Sequence, residues 1–178
     1  APMTPYDRTY LSRNRTAATF PFPELRACID YTICEFAGEF RDALLRYERS
    51  GDRRNTDRQH DARAEMGDAL FMLLSACIRA DHAPQLVPVV NTYSMRRECN
   101  EITRYLTHAA DHAARLDGET TSHDDAADML HRHLDHAYSY MVHLCTVHFG
   151  WPVDGVVNAA CVKFERKWAP QSLEEEVR

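Results

Sequence analysis

The sequence predicts an all-α fold, and three observations carry that prediction. Clear alternation with period two is missing. Apolar residues recur at spacings of three and four. Only six of the 178 residues are glycine. The periodic segments are long enough for an antiparallel four-helix core closed by a short C-terminal helix, in a single domain.

Residues 1–23 read as an irregular arm, because "FPFP" places Pro21 and Pro23 where a helix would need amide donors. A first helix is predicted from Glu24 to Tyr47, with Ile29, Ile33, Phe36, Phe40 and Leu44 as its apolar stripe. "RSGDRRNTDR" then makes a polar, basic loop in which Asp57 is the expected N-cap. The second helix is predicted from Arg58 to Ala80. It is apolar nearly all round from Ala69 to Ile78, which makes it the central element. "DHAPQLVP" ends it. The third helix is predicted from Thr92 to Leu116, with Met95, Ile102, Leu106, Ala109 and Ala113 inward. In the following "DGETTSHDD" turn, Gly118 suits a C′ position and Thr121 or Ser122 suits an N-cap. The fourth helix is predicted from Asp124 to Phe149, with Ala127, Leu130, Leu134, Tyr138, Met141 and Cys145 on one side. Pro152 opens the last helix at its first position. That helix ends near Trp168, and residues 169–178 read as a frayed tail.

Hydrophobic residues make up 44% and charged residues 27%, an ordinary globular mixture. The formal net charge of −6 argues against a nucleic-acid partner, which usually calls for a basic surface. It leaves small anions open, since a bound divalent cation inverts the local field. No apolar run is long enough to span a bilayer, which argues against a membrane protein. "APMTPYDRTYLSRNRT" lacks the apolar core of a signal peptide. Six cysteines, none in a CxxC pair, sit inside apolar helical patterns, as reduced and buried thiols do. These features together predict a soluble, cytoplasmic protein.

The chemistry concentrates in carboxylates. "CEFAGEF" sets Glu35 and Glu39 four residues apart, about 40° around a helix axis. "EMGDALFMLL" sets Glu65 and Asp68 three apart, at the mouth of the apolar run. If the two helices pack antiparallel, the four acids converge, and their repulsion calls for a divalent cation. Mg²⁺ and Mn²⁺ favour such oxygen donors, and a metal-bound water suits attack on a phosphoanhydride. The alternative is that these are solvated surface acids with arginine neighbours.

"EFAGEF…EMGDALFMLL" resembles the paired ExxE and ExxD motifs of the MazG-like all-α nucleoside triphosphate pyrophosphohydrolases, the superfamily that includes dimeric dUTPases and dCTP pyrophosphatases. "VKFERKW" is similar to its basic C-terminal segment. The resemblance runs from Glu24 to Trp168. It implies a metal-dependent hydrolase that converts a (deoxy)nucleoside triphosphate to the monophosphate and pyrophosphate. It implies Mg²⁺ or Mn²⁺ on Glu39, Glu65 and Asp68, with Glu35 as an added ligand or as the base that activates water. It also implies phosphate binding by Lys163, Arg166 and Lys167, and a homo-oligomer, dimer or tetramer. Cations in a last helical turn equally complement the helix dipole. The chain departs from the family pattern at Phe36, where an acid is usual, and at Cys161, where asparagine is usual. The lost acid leaves room for a second reading, a catalytically impaired nucleotide-binding or scaffold protein on the same fold.

The second half reads as a duplication of the two-helix unit. "RRECNEITRYL" carries Glu98 and Glu101 as an ExxE, and Asp135 in "HRHLDHAYSYMVHLC" stands where Asp68 does. These three form a second candidate set, with Arg132 in place of the partner acid; the alternative is that Glu98 and Glu101 are ordinary helix acids near Arg96, Arg97 and Arg104. Among ten histidines, His108 with His112 and His133 with His136 hold helical spacing. His131, His143 and His148 scatter around the fourth helix. With no convincing third ligand in register, most read as surface or interface residues.

Overall fold

Nearly every apolar stripe of the sequence becomes the inner face of a helix. The structure is a computed structural model that describes residues 2–118 and 123–169, without the side chains of residues 123 and 124. The cap expected at Thr121 or Ser122 and the tail from residue 170 lie outside the described residues. The elements are α1 (Pro5–Thr16), α2 (Leu25–Ile33), the π-helical turn π1 (Cys34–Phe40), α3 (Arg41–Arg49), α4 (Thr56–Arg79), α5 (Met95–Leu116), α6 (His123–His143), a second π-helical turn π2 (Leu144–His148) and α7 (Val153–Trp168). No strand occurs among the described residues. Among the described residues no helix is long and apolar enough to cross a membrane.

α2, π1 and α3 follow one another without a break and form one rod. Its buried face is the predicted stripe, with Ile29, Phe36 and Phe40 fully enclosed and Leu44 nearly so. Asn55, not Asp57, caps α4, its side chain accepting the Arg58 amide at 3.1 Å. Pairings along the two rods set their direction. Arg79 donates to the Phe22 and Pro23 carbonyls, while Gln59 reaches the Tyr47 hydroxyl at the other end. The rods are therefore antiparallel. α5 and α6 are antiparallel too, since Tyr105 stacks on His136 while Glu98 meets His143. α4 is the hub, as its all-round apolar stretch requires: Ala69 to Cys77 are buried without exception, and α4 packs on α1, α2, π1, α3, α6 and α7.

The irregular arm is corrected in one place. Residues 5–16 form α1, with the Thr4 hydroxyl accepting the Asp7 amide at 3.1 Å and Pro5 opening the helix. No apolar stripe announces it, because its buried residues are Thr9, Ser12, Arg13 and Thr16. It docks by charge instead. Arg8 forks onto both Glu165 oxygens at 2.9 and 2.7 Å, and Arg15 joins at 3.1 Å. Arg13, only 2% exposed, sits against Phe20, Phe22 and Phe71 and donates Nε to the Ser75 hydroxyl at 2.9 Å. Burial pushes its pKa down to about 10, so it stays charged at neutral pH.

The cysteines are all free, and five are buried as expected; Cys34 is exposed. The π turns fall in different members of the two hairpins, the first helix of one and the second helix of the other.

Candidate metal and phosphate site

Antiparallel pairing sets π1 against the first half of α4, and this brings Glu35 to Glu65 and Asp68. One carboxylate oxygen of each lies within 4.8 Å of the other two, and all three side chains are half-buried. Such crowding opposes ionisation. Burial first, then the charges of Asp68, Glu65 and Glu39, push the Glu35 carboxyl above its ordinary range. Burial, then Asp68 and Glu39, do the same to Glu65.

Glu39 contributes field and stands outside this trio. Phe36 and Phe40 are fully buried and stack with ring centroids 5.3 Å apart, which fixes the rotation of π1. That rotation leaves Glu39 exposed and Glu35 half-buried. The acid beside Phe36 is thus the one that meets Glu65 and Asp68.

Of the three basic residues predicted near the C-terminus, Lys163 reaches the acids, where its ammonium pairs with Asp68. Arg166 and Lys167 are exposed, and the Lys167 ammonium lies 5.0 Å from the Trp168 ring centroid. Beside Asp68 and Lys163 a cleft of about 380 Å³ opens between α4 and α7, lined also by His60, Arg63, Val156 and Ala160. Gly67 permits this close approach. A Cβ there would stand 3.0 Å from the Val156 carbonyl oxygen and 3.3 Å from the Ala160 methyl. The arrangement offers hard oxygen donors on one side and cations on the other, which suits a cation carrying phosphate oxygens.

The second candidate set is not brought together. Glu101 pairs with Arg104 on its own helix at 2.6 Å. Asp135 accepts the Gln85 amide at 3.0 Å and meets His82 Nε2 at 2.7 Å. It thereby pins the segment that follows α4. Glu98 alone turns inward, with no exposed surface, and there it meets His143 and His148 rather than another acid.

Sequence reasoning missed that grouping for a geometric reason. Residues five apart on an α-helix point about 140° away from each other. In π2 the i→i+5 bonding pattern stacks such residues instead, and it delivers His143 and His148 to the same carboxylate. Compared with known proteins, the chain matches no family model, no curated protein and no solved structure.

Proposed function

We propose that the chain is a divalent-cation-dependent pyrophosphohydrolase acting on a (deoxy)nucleoside triphosphate, with the monophosphate and pyrophosphate as products. The convergence of Glu35, Glu65 and Asp68 beside Lys163 carries this reading. Three half-buried carboxylates, two of them resisting ionisation, fit Mg²⁺ or Mn²⁺ by donor type and by charge. The bound ion would supply Lewis-acid polarisation of a phosphate oxygen and a more acidic water.

The remaining work belongs to the chain. Glu35 orients the attacking water and accepts its proton, a task its upward-shifted carboxyl suits. Lys163 and Arg63 hold phosphate oxygens and offset charge on the departing pyrophosphate. Release of Asp68 by Lys163 frees both groups for these roles. The same reading expects a homo-oligomer, which light scattering of the purified chain measures.

A second reading, a nucleotide-binding or scaffold protein without turnover, draws on Phe36, which is locked in the core where the resembled family carries an acid. One assay separates the two: pyrophosphate release from a panel of triphosphates with Mn²⁺. Turnover that Asp68→Ala abolishes supports the hydrolase. A Mn²⁺-dependent rise in Tm without turnover supports the second reading; the rise corresponds to about 2.7 kcal/mol at a Mn²⁺ concentration 100 times its Kd. No response to either metal or nucleotide overturns both.

A further inference from the structure

We propose that Glu98, His143 and His148 form a separate metal site that takes a divalent transition ion of the Zn²⁺ class. One ligand atom from each lies within 4.8 Å of the other two. Glu98 is wholly enclosed, and each histidine side chain keeps only 15% of its surface exposed. An ionised carboxylate in that position is costly unless its oxygens are matched.

The imidazoles approach both oxygens but satisfy only one of them. His148 Nε2 bonds Oε2. His143 Nδ1 stands 2.5 Å from Oε1 without hydrogen-bond alignment, so Oε1 and Nδ1 are both buried and unpartnered. A fully buried carboxylate oxygen and an adjacent imidazole nitrogen, neither of them hydrogen-bonded, are what metal ligation resolves.

The donor set selects the ion. Two imidazole nitrogens and one carboxylate are the ligands of open zinc and non-haem iron sites, whereas Mg²⁺ and Ca²⁺ prefer all-oxygen shells. The backbone is shaped for it, since π2 is what brings His148 under His143. Three protein ligands leave a position for water or an anionic group. His148 also lines a cleft of about 680 Å³ whose walls include Arg53, Arg96, Tyr47 and Phe149.

The experiment uses the full chain carrying Glu35→Gln and Asp68→Ala, so that the carboxylate trio is silent. After chelation and dialysis it is titrated with Zn²⁺, by calorimetry and by NMR of the histidine rings. The expected result is one equivalent bound, with the ring signals of His143 and His148 shifting together. Adding His143→Gln or His148→Gln removes that equivalent and the Zn²⁺-induced rise in Tm, while far-UV circular dichroism in chelator stays helical. The NMR titration needs no histidine variant, so it decides the matter if those variants unfold. Failure of Zn²⁺ to bind, or binding that leaves these two rings and their variants unaffected, overturns the site and makes the trio a hydrogen-bonded one. Neither outcome depends on nucleotide turnover.

Discussion

At the scale of single residues, the candidate site stores a repulsion that acid relieves and that a bound divalent cation would relieve. Glu35 and Glu65 have folded-state pKa values above their ordinary ones, first from burial and then from neighbouring acids. The stability they contribute is therefore complete below the ordinary carboxylate range and is lost as pH rises through the raised values. Glu35→Gln should accordingly raise Tm in chelator at pH 7, leave it unchanged at pH 4, and reduce the further rise expected of the parent chain with Mn²⁺; differential scanning fluorimetry across pH reads all three. Lys163 adds a competing charge, since its ammonium pairs with Asp68. Its side chain is half exposed, so the pair is worth at most about 1 kcal/mol. Lys163→Met should tighten Mn²⁺ binding by no more than a few-fold without nucleotide, and weaken nucleotide binding with Mn²⁺ present. Calorimetry with and without a non-hydrolysable triphosphate measures the two opposite changes.

At the scale of elements, legibility followed the kind of force that buries each one. α4 was readable because its contacts are apolar and periodic, and the α2–π1–α3 stripe was readable because Ile29, Phe36, Phe40 and Leu44 hold helical spacing. The π turns were not, since an apolar stripe survives a locally widened turn while the polar residues around it change partners. Thus of the four acids expected to converge Glu39 stays outside the trio while Glu35 joins it, and His143 comes into register with His148. α1 was hidden for another reason, that a face of Thr9, Ser12, Arg13 and Thr16 has no hydrophobic period to detect. Its docking makes a specific demand on Arg13. The guanidinium has aromatic faces of Phe20, Phe22 and Phe71 at 5.1, 4.7 and 4.6 Å, but its Nη1 has no hydrogen-bond partner. Cation–π contacts are worth about 0.5–2 kcal/mol, and truncating a buried long side chain leaves a cavity. Arg13→Ala should cost about 2–4 kcal/mol in urea unfolding and expose α1 to limited proteolysis. Arg13→Met, which fills the space and removes the buried charge, should cost far less, as replacement of buried charges by apolar residues often does.

At the scale of the whole molecule, the two hairpins are joined by one continuous apolar cluster, yet the outer seam of the α5–α6 pair is built from imidazoles. The His133 ring stacks between those of His108 and His112, with centroids 5.2 and 5.1 Å apart, and Tyr105 stacks on His136 beside it. Burial, then the cationic forms of His112, His108 and His136 and the charge of Arg104, pull the His133 pKa down to about 4. His112 is lowered as well, mainly by burial. Unfolding returns His133 to its ordinary value of about 6.5, so between the two values the unfolded chain binds a proton that the folded chain refuses. The folded state therefore has its full stability from this group above pH 6.5. It loses that stability as pH falls toward 4, below which the loss is complete. His133→Phe keeps an aromatic ring in the stack and removes the titration. Carboxylates elsewhere titrate alike in both chains and cancel in the comparison. The difference in unfolding free energy between parent and variant, measured by urea denaturation in chelator from pH 8 to pH 4, should be flat above pH 7. Below pH 6.5 it should turn progressively in favour of the variant. A difference that stays constant down to pH 4 would mean that His133 accepts its proton in the folded chain as readily as in water, and that the imidazole seam exerts no control over how the second hairpin survives acid.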